Sequence, residues 1–152
     1  MEIVLLNKEL IHETSTLTKE VISSLEGIYS DEARAGESNR FTLQNLELRL
    51  EDCDNKDFVA IDNDRVVGFV YSFVEANVLF IQWVGVDSSY RKKGVMKSLL
   101  FYVENFCKTN GIATIWLDTN KKNKPAIKFF SGSGFSKFSS VDDFWYGHGY
   151  YF

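Results

Sequence analysis

Val78-Leu-Phe-Ile-Gln-Trp-Val-Gly-Val86 is an apolar run, and Tyr90-Arg-Lys-Lys-Gly-Val-Met-Lys-Ser-Leu-Leu100 follows it after three residues. The first run is typical of a buried strand, and the second predicts a basic turn that leads into a helix. The first N–H groups of a helix lack partners within the helix, and the helix dipole favours negative charge there. The turn contains Gly94, which lets a ligand approach the backbone, and four basic side chains. These are Arg91, Lys92, Lys93 and Lys97. The stretch therefore predicts an anion site suited to a pyrophosphate.

Two common phosphate-binding motifs are absent from the chain. Neither a G-x-x-x-x-G-K-[ST] loop nor a G-x-G-x-x-G fingerprint occurs, which excludes a P-loop and a dinucleotide fingerprint. Taken alone, the basic stretch is also explained as the solvated start of an ordinary surface helix. The choice between the two depends on the second half of the chain.

A strand, a polar loop and a short helix follow in that half. Asn110-Gly111 is a helix stop signal, and Thr114-Ile-Trp-Leu-Asp118 is rich in the β-branched and aromatic residues of strands. After a polar loop, Pro125 stands where a helix can begin, and the predicted helix Ala126–Phe130 ends near two glycines. We expect another strand from Phe135 onward.

Two motifs in this order resemble those of the GCN5-related N-acetyltransferases (GNAT). Arg91-Lys-Lys-Gly-Val-Met96 is similar to the R/Q-x-x-G-x-G/A motif, in which the turn holds the pyrophosphate of coenzyme A. The chain departs from the family at Met96, where Gly or Ala is usual, and at Phe130, where the family has Tyr. The second motif, N-x-x-A-x-x-F-Y-x-x-x-G-F, is matched by Asn123, Ala126, Phe129, Gly134 and Phe135.

The resemblance, which covers Val59 to about Phe138, implies an α/β (α+β) fold. Its central sheet is mixed and mostly antiparallel, with helices on its faces. In this family the strands that here hold Val86 and Trp116 run parallel and splay apart, and the cofactor enters the gap. The hydrophobic pattern agrees with the order β-α-α-β-β-β-α-β-α-β-β and with one acetyltransferase domain over residues 1–152.

The first part of the chain fits this fold in its pattern only. We expect a strand at Met1–Leu6, a helix at Glu9–Leu25, and a polar, irregular and mobile loop at Gly27–Arg40. Thr42 is a candidate cap of a second helix, and Phe58–Phe73 predicts a hairpin.

The resemblance implies acetyl-CoA as cosubstrate. Backbone N–H groups near Gly85 are expected to face the thioester oxygen, and Gly85 suits a β-bulge that turns one N–H outward. Close packing of the neighbouring helix on the strand is the other explanation of Gly85. Asn123 either donates a hydrogen bond to the cofactor or serves as a turn residue before the helix. The expected cofactor-binding residues are Trp83, Val84, Gly85, Val86, Arg91, Lys92, Lys93, Gly94, Val95, Met96, Lys97, Asn123, Phe129 and Phe130.

Two acidic residues are candidates for the base that takes a proton from the amine. Trp116–Asn123 resembles the W-L-E-V-R-x-x-N run of the acetyltransferases that modify the N-terminal Ala of a ribosomal protein. The Glu of that run is the proposed base, and Asp118 stands in its place, one methylene shorter. The alternative is that Asp118 only caps the following loop. Glu75, near a strand turn, is the rival base.

Phe130 corresponds to the Tyr that acts as the general acid in this family, and a phenyl ring has no proton to give a leaving thiolate. Because a free thiol has a pKa of about 8.5, a thiolate leaves readily, and we expect the loss of the acid to slow catalysis without preventing it. Tyr71, Tyr102 and Tyr146 are candidate replacements, and the sequence does not choose among them.

Asp142–Phe152 is densely aromatic and is expected to form the last strands, near the acceptor. One interpretation is an aromatic and acidic wall for an amine. Its substrate-binding residues are then Asp142, Asp143, Trp145 and His148. The other interpretation is a hydrophobic closing hairpin covered by a second subunit, which makes a homodimer through this edge an expectation.

Composition limits the remaining function classes. The net charge of −4 disfavours general nucleic-acid binding, and no apolar stretch reaches the ~18 residues needed to span a membrane. Cys53 and Cys107 lack metal-ligand spacing, and His12 and His148 are far apart, so no metal is expected. Lone cysteines and the lack of a signal-peptide pattern predict reduced thiols in a cytoplasmic protein.

These observations predict an acetyl-CoA-dependent N-acetyltransferase that moves the acetyl group directly to a primary amine. The acceptor is either a small amine or a protein or peptide N-terminus. The alternative is a catalytically weak acyl-CoA-binding module that senses the cofactor or regulates a partner, which Phe130 and Met96 favour. Cys107, within a helix, is expected to pack in the core rather than act as a nucleophile.

Overall fold

The computed structural model describes all 152 residues and contains two sheets. The five strands of the larger sheet, which lie side by side in chain order, are β1 (Glu2–Leu5), β2 (Phe58–Asp62), β3 (Arg65–Glu75), β4 (Val78–Val86) and β5 (Thr114–Leu117). All neighbours are antiparallel except β4 and β5, which run parallel. The smaller sheet consists of β6 (Thr119–Asn120), β7 (Ser140–Val141) and, between them, β8 (Tyr150–Tyr151). The mixed, mostly antiparallel sheet confirms the predicted fold class.

Helices flank the larger sheet on both faces. They are α1 (Ile11–Ser23), α2 (Asp31–Arg40), α3 (Leu43–Glu51), α4 (Val95–Thr109) and α5 (Lys124–Gly132). On one face, Ile22 of α1 and Leu46 of α3 share a buried cluster with Phe69 of β3. On the other face, Leu99 of α4 packs in a second cluster with Leu79 of β4. No helix is both long and apolar enough to cross a membrane.

Local signals explain where several helices begin. Ser30 Oγ accepts a hydrogen bond from Ala33 N at 3.2 Å, and Thr42 Oγ1 accepts one from Asn45 N at 3.4 Å, so these hydroxyls cap α2 and α3. Gly94 precedes α4 with a φ of +86°, a conformation that favours glycine. The first strand and helix, the Thr42 cap, the β2–β3 hairpin and the α4 start are confirmed.

The segment Gly27–Arg40 contains helix α2, so the prediction of an irregular loop there is wrong. Only Ala33 of this helix is buried, and the sequence therefore lacks the apolar stripe that marks most helices. A capped start, the acidic Asp31 and Glu32 in the first turn, and Arg40 in the last turn stabilise the helix instead.

The C-terminal strands differ from the prediction in place and length. No strand begins at Phe135, and Asp142–Phe152 contains a 3₁₀ turn, Trp145–Gly147, and only one short strand, β8. Positive φ angles at Asp143 and Tyr146 bend the chain, which is incompatible with an extended strand through this segment.

β4 contains one residue more than the part of β3 it pairs with. Tyr71 pairs with Trp83, but the next pair joins Ser72 to Ile81, so that Gln82 forms a β-bulge. A bulge bends the strand that carries it and increases its local twist.

The parallel pairing of β4 with β5 stops at the same point. Its last pair joins Ile81 to Leu117. Beyond it, Trp83–Val86 keeps its pairing with β3, and the edge of Gln82–Val86 that faces away from β3 has no neighbouring strand. The predicted splay of the parallel strands is confirmed, and it leaves a gap in the sheet lined by backbone.

Candidate active site

A cleft of about 990 Å³ opens where β4 and β5 part. Its walls are the unpaired edge of β4, the first turn of α4, helix α5, the segment from the end of α1 into α2, and the turn at Trp145–Gly147. Of the residues predicted to bind the cofactor, only Lys93 lies outside these walls. The others line the cleft: Trp83, Val84, Gly85, Val86, Arg91, Lys92, Gly94, Val95, Met96, Lys97, Asn123, Phe129 and Phe130.

The start of α4 forms one end of the cleft. The first hydrogen bond of this helix is donated by Ser98 N to Gly94 O at 3.0 Å. The N–H groups of the three preceding residues, Val95, Met96 and Lys97, therefore have no partner within the protein. These donors, at the positive end of the helix dipole, make this end of the cleft suited to an anion.

The basic side chains of the turn differ in their positions. Arg91 lines the cleft and donates from Nη2 to Ser24 Oγ, at the end of α1, at 3.0 Å. Lys97 lines the cleft from the first turn of α4. Lys93 lies outside it, with its Nζ 4.9 Å from the centre of the Tyr90 ring. Lys92 also lines the cleft, so three of the four basic groups add their charge to the unpaired N–H groups.

Gly85 packs closely against its neighbours. It is in register with Phe69 of β3, and a Cβ at this position would lie 2.5 Å from the Phe69 ring and 3.0 Å from Val21 of α1. The packing explanation of Gly85 is confirmed. The expectation of a bulge at Gly85 is wrong, since the bulge lies at Gln82 and the pairing is regular at Gly85.

The bulged Gln82 is fixed from the face of the sheet that α1 and α3 cover. Arg49 of α3 donates from Nη1 to Gln82 Oε1 at 2.9 Å. The same guanidinium donates two bonds to Asp57, at 2.8 and 2.7 Å, and lies 5.5 Å from the centre of the buried Tyr71 ring. A bidentate pair of this kind has little freedom, so it holds the bulge in one geometry.

Helix α5 forms the wall opposite β4. Asn123 Oδ1 caps this helix by accepting from Ala126 N at 3.3 Å, which confirms its role as the turn residue before the helix. Its Nδ2 has no partner within the protein and is available to a ligand. Phe130 is buried, with Phe129 and Phe135 rings 5.2 and 5.4 Å away, and brings no hydroxyl to the cleft.

Asp118 lies at the other end of the cleft, where the chain passes from β5 to β6. Burial raises the pKa of its carboxyl to about 6. The negative charge of Glu37 also raises this pKa, while Arg40 and the side chain of Trp145 lower it. With a pKa of about 6 the carboxyl is mostly ionised at neutral pH and is a stronger base than an exposed aspartate.

Glu37 is a cleft residue that the sequence interpretation missed. Its carboxylate accepts from Trp83 Nε1 at 2.7 Å and forms an ion pair with Arg40 at 3.0 Å. It was missed because α2 was interpreted as a loop. The three-residue spacing of Glu37 and Arg40, together with the capped start of α2, is the signal that indicates a helix here.

Tyr29 and Tyr150 were also missed. Their hydroxyl groups lie near each other and near Asp118. Burial raises the pKa of both phenols, for Tyr150 to about 12, and the nearby carboxylates raise them further. Both hydroxyls therefore stay protonated at neutral pH. They come from opposite ends of the chain, so no local pattern indicates that they meet.

Besides Lys93, four predicted site residues lie outside the cleft. Glu75 is exposed at the end of β3, and Asp142 and Asp143 are exposed in the C-terminal segment. His148 Nε2 accepts a hydrogen bond from Ser30 N at 3.3 Å, so it ties the C-terminal segment to the start of α2. Of the C-terminal residues predicted to bind substrate, only Trp145 lines the cleft.

Only one of the three proposed acid tyrosines lines the cleft, and that is Tyr146. The hydroxyl of Tyr71 is buried and shares a hydrogen bond of 2.7 Å with Thr18 Oγ1. Tyr102 packs on Phe58, on the face of the sheet that α4 covers, with the ring centres 5.8 Å apart. The structure therefore removes Tyr71 and Tyr102 as candidates.

The cysteines lie away from the cleft. Cys107 is buried in α4, as expected of a core residue. Cys53 is exposed between Asp52 and Asp54, and their ligand atoms lie within 4.8 Å of one another. Exposed acidic groups of this kind are common without a metal.

The sequence model of the Acetyltransferase (GNAT) family matches residues 22–135 of the chain. Streptothricin acetyltransferase of Streptomyces lavendulae is 30% identical over 89 residues, which are 57% of this chain and 47% of that protein. The [Ribosomal protein bS18]-alanine N-acetyltransferase of Escherichia coli strain K12 is 25% identical over 80 residues, 53% of this chain and 54% of that protein. The chain thus spans about half the length of the curated relatives it matches.

Solved structures show the same fold over nearly the whole chain. The PaiA N-acetyltransferase from Thermoplasma acidophilum, in complex with coenzyme A, superimposes with a TM-score of 0.85 at 19% identity, covering 99% of this chain and 98% of that chain. An aminoglycoside N-acetyltransferase, AAC(6')-Iy in complex with CoA, gives a TM-score of 0.72 at 21% identity, covering 92% and 95%. At these identities the likeness shows a shared fold.

Proposed function

The chain belongs to the GNAT acetyltransferase family, and from this premise we propose that it transfers an acetyl group from acetyl-CoA to a primary amine. The supporting observation is that the unpaired N–H groups of α4 and the carboxylate of Asp118 line one cleft. An anion site and a base in one cleft suit transfer from a phosphate-bearing donor to an ammonium group. The relatives are acetyltransferases of streptothricin and of an alanine in ribosomal protein bS18, which supports an amine as acceptor.

The residues present fit coenzyme A. The N–H groups of Val95–Lys97, with Arg91 beside them, suit a pyrophosphate. The open edge of Gln82–Val86 offers backbone donors and acceptors to an extended arm that carries amides, in the manner of an added strand. Asn123 Nδ2 adds a side-chain donor. When bound, acetyl-CoA supplies the acetyl thioester.

Asp118 is the proposed base. It accepts the proton of the acceptor ammonium, which frees the lone pair that attacks the acetyl group. Because burial sets its pKa at about 6, it is ionised and ready to accept at neutral pH. Glu75, exposed and outside the cleft, has no access to the same position.

Backbone groups are the proposed stabilisers of charge on the acetyl oxygen. Beyond Ile81 the N–H groups of β4 that face away from β3 have no strand to bond to. Such preorganised donors are effective where water is excluded. The Arg49–Gln82 hydrogen bond fixes the point where this open edge begins.

A second function has one observation in its favour. Phe130 lines the cleft at the position where the family has a Tyr that acts as general acid. No hydroxyl therefore protonates the leaving thiolate from this position. A protein that binds acyl-CoA and turns it over slowly would tolerate this residue. Tyr146 is the proposed source of the missing proton in the transferase.

A titration followed by an amine assay separates these two functions. We expect acetyl-CoA to raise the melting temperature by several degrees, since a ligand at 100 times its Kd adds about 2.7 kcal/mol of stability. Dephospho-CoA and desulfo-CoA are the controls for the phosphate and thiol ends. Acetylated amine is then measured by mass, because the exposed Cys53 interferes with thiol reagents.

Stabilisation with amine-dependent product supports the transferase, and stabilisation without product supports the binding module. If acetyl-CoA leaves the melting temperature unchanged at millimolar concentration, both proposals are wrong.

A further inference from the structure

The cleft continues beyond Asp118 over a row of aromatic side chains. Phe73, Phe80 and Trp116 lie side by side on β3, β4 and β5, and all three line the cleft. Phe73 and Phe80 stack with ring centres 4.9 Å apart, and Trp116 lies 6.4 Å from Phe80. Phe138, whose ring is 5.4 Å from Trp116, extends the row and is 78% exposed. We call these four residues the aromatic row.

The fold does not use the aromatic row to close its core. None of the four residues belongs to either of the two buried clusters, and none is fully buried. Trp116 is two residues before Asp118, and both side chains line the same cleft. An apolar surface that continues from the proposed base is the place where the body of the acceptor can lie.

The carboxylates at the Asp118 end of the cleft are able to neutralise one cationic group of a substrate. Glu37 and Asp118 are the only carboxylates in the cleft walls. Glu37 already has an ion pair with Arg40 and a hydrogen bond from Trp83. Asp118 is therefore the one carboxylate left for an ammonium group, and a second ammonium nearby would meet the guanidinium of Arg40.

Building on the proposed function, we propose that the acceptor is a small monoamine with an aromatic or flat apolar body. Its ammonium group lies at Asp118 and its body on the aromatic row. A polyamine or an aminoglycoside carries further positive charges that this end of the cleft does not neutralise. A peptide would place backbone N–H and C=O groups over aromatic rings, where they lose their hydrogen bonds.

The test compares amines that differ in one property. The panel contains 2-phenylethylamine, ethylamine, spermidine, an aminoglycoside and a tripeptide with N-terminal Ala. We expect kcat/KM for 2-phenylethylamine to exceed that for ethylamine by at least about tenfold, since a buried aromatic ring adds that much binding. We expect it to exceed the values for the other three as well.

Variants of the aromatic row locate the effect. Trp116→Ala and the exposed Phe138→Ser should each lower the ratio of kcat/KM for 2-phenylethylamine to that for ethylamine, with about a tenfold fall for Trp116→Ala. Phe80→Leu keeps most of the volume while removing the ring, which guards against misfolding of a larger truncation. Phe101→Ala, an exposed aromatic on α4 outside the cleft, is the control and should leave the ratio unchanged.

Preference for spermidine, the aminoglycoside or the peptide would overturn the monoamine proposal and leave the transferase intact. A ratio unchanged in Trp116→Ala would overturn the role of the aromatic row. Binding of acetyl-CoA without acetylation of any amine would instead refute the proposed transferase, and the monoamine proposal with it.

Discussion

At the α4 end of the cleft the working groups are backbone N–H donors from one continuous stretch, whereas at the Asp118 end they are side chains from distant parts of the chain. The α4 end depends on Gly94 and the first turn of a helix, which any helix presents. The Asp118 end brings together Glu37 of α2, Asp118 after β5, and Tyr150 of β8. The first end suits anions in general, and the second is the end at which we propose that the acceptor binds.

Loss of the proposed base should have the largest effect on activity. Asp118→Asn keeps the shape and removes the proton acceptor, so we expect kcat to fall about 100- to 1,000-fold. In the wild type, the base works when it is deprotonated, and kcat should therefore rise with pH through about 6 and level off above it. In the variant this rise should be absent.

The pH profile of kcat at saturating substrates is the measurement. Glu75→Gln, at the exposed end of β3, is the parallel variant. If Glu75→Gln removes the rise while Asp118→Asn keeps it, the base has been assigned to the wrong residue.

Removal of two charges at the α4 end should have a smaller effect. Arg91→Ala with Lys97→Ala leaves the unpaired N–H groups in place, so we expect acetyl-CoA to bind only about 10- to 30-fold more weakly. The KM of the amine should not change. Calorimetric titration with CoA measures the effect, and Lys93→Ala, whose side chain lies outside the cleft, is the matched control. An equal loss of affinity in Lys93→Ala would mean that the overall positive charge of the turn, rather than the side chains in the cleft, binds the cofactor.

A methyl group at Gly85 should lower the free energy of unfolding of the protein. It should also disturb both ends of the cleft, because β4 is common to them. Its Cβ would lie 2.5 Å from the Phe69 ring, and overpacking of this kind costs about 1–3 kcal/mol. The melting temperature of Gly85→Ala should therefore fall by several degrees. Gly132→Ala is the control, since a Cβ there meets nothing within 4 Å. Equal melting temperatures in the two variants would contradict the close packing of β4.

Neutralising Glu37 should have the smallest effect on activity. It tests whether a residue of α2 sets the pKa of the proposed base. The charge of Glu37 raises the pKa of Asp118, so Glu37→Gln should lower that pKa. The rise of kcat should then move to lower pH. The amide oxygen still accepts from Trp83 Nε1, which limits structural change. A rise that stays in place, or that moves to higher pH, would contradict the repulsion between the two carboxylates.

The part of the fold that could be predicted is the part governed by neighbouring residues. The β4–α4 corner, the cap at Thr42 and the cap at Asn123 are each formed within a few positions of the chain. Their signals are therefore visible in the sequence. Asp118 was found through the resemblance of Trp116–Asn123 to a run of known acetyltransferases.

The part that was missed depends on contacts between distant residues. Helix α2 has no apolar stripe. Two hydrogen bonds between distant residues help to hold it, one from Ser30 N to His148 Nε2 and one from Trp83 Nε1 to Glu37. Gln82 at the bulge accepts a hydrogen bond from Arg49, which lies 33 positions away, and no local pattern pairs the two residues. The expected homodimer through the C-terminal edge depends on a second chain and stays a prediction.

The bulge at Gln82 has a genetic consequence. Because Gln82 is the extra residue of β4, loss of its single codon leaves the other β3–β4 pairs in register, with Trp83 next to Ile81 and opposite Tyr71. The same loss takes away the partner of Arg49 and the point at which β4 parts from β5. A β3–β4 pair with the bulge and one without it thus differ by one codon. A bulge of this kind is therefore gained or lost by insertion or deletion of a residue rather than by substitution.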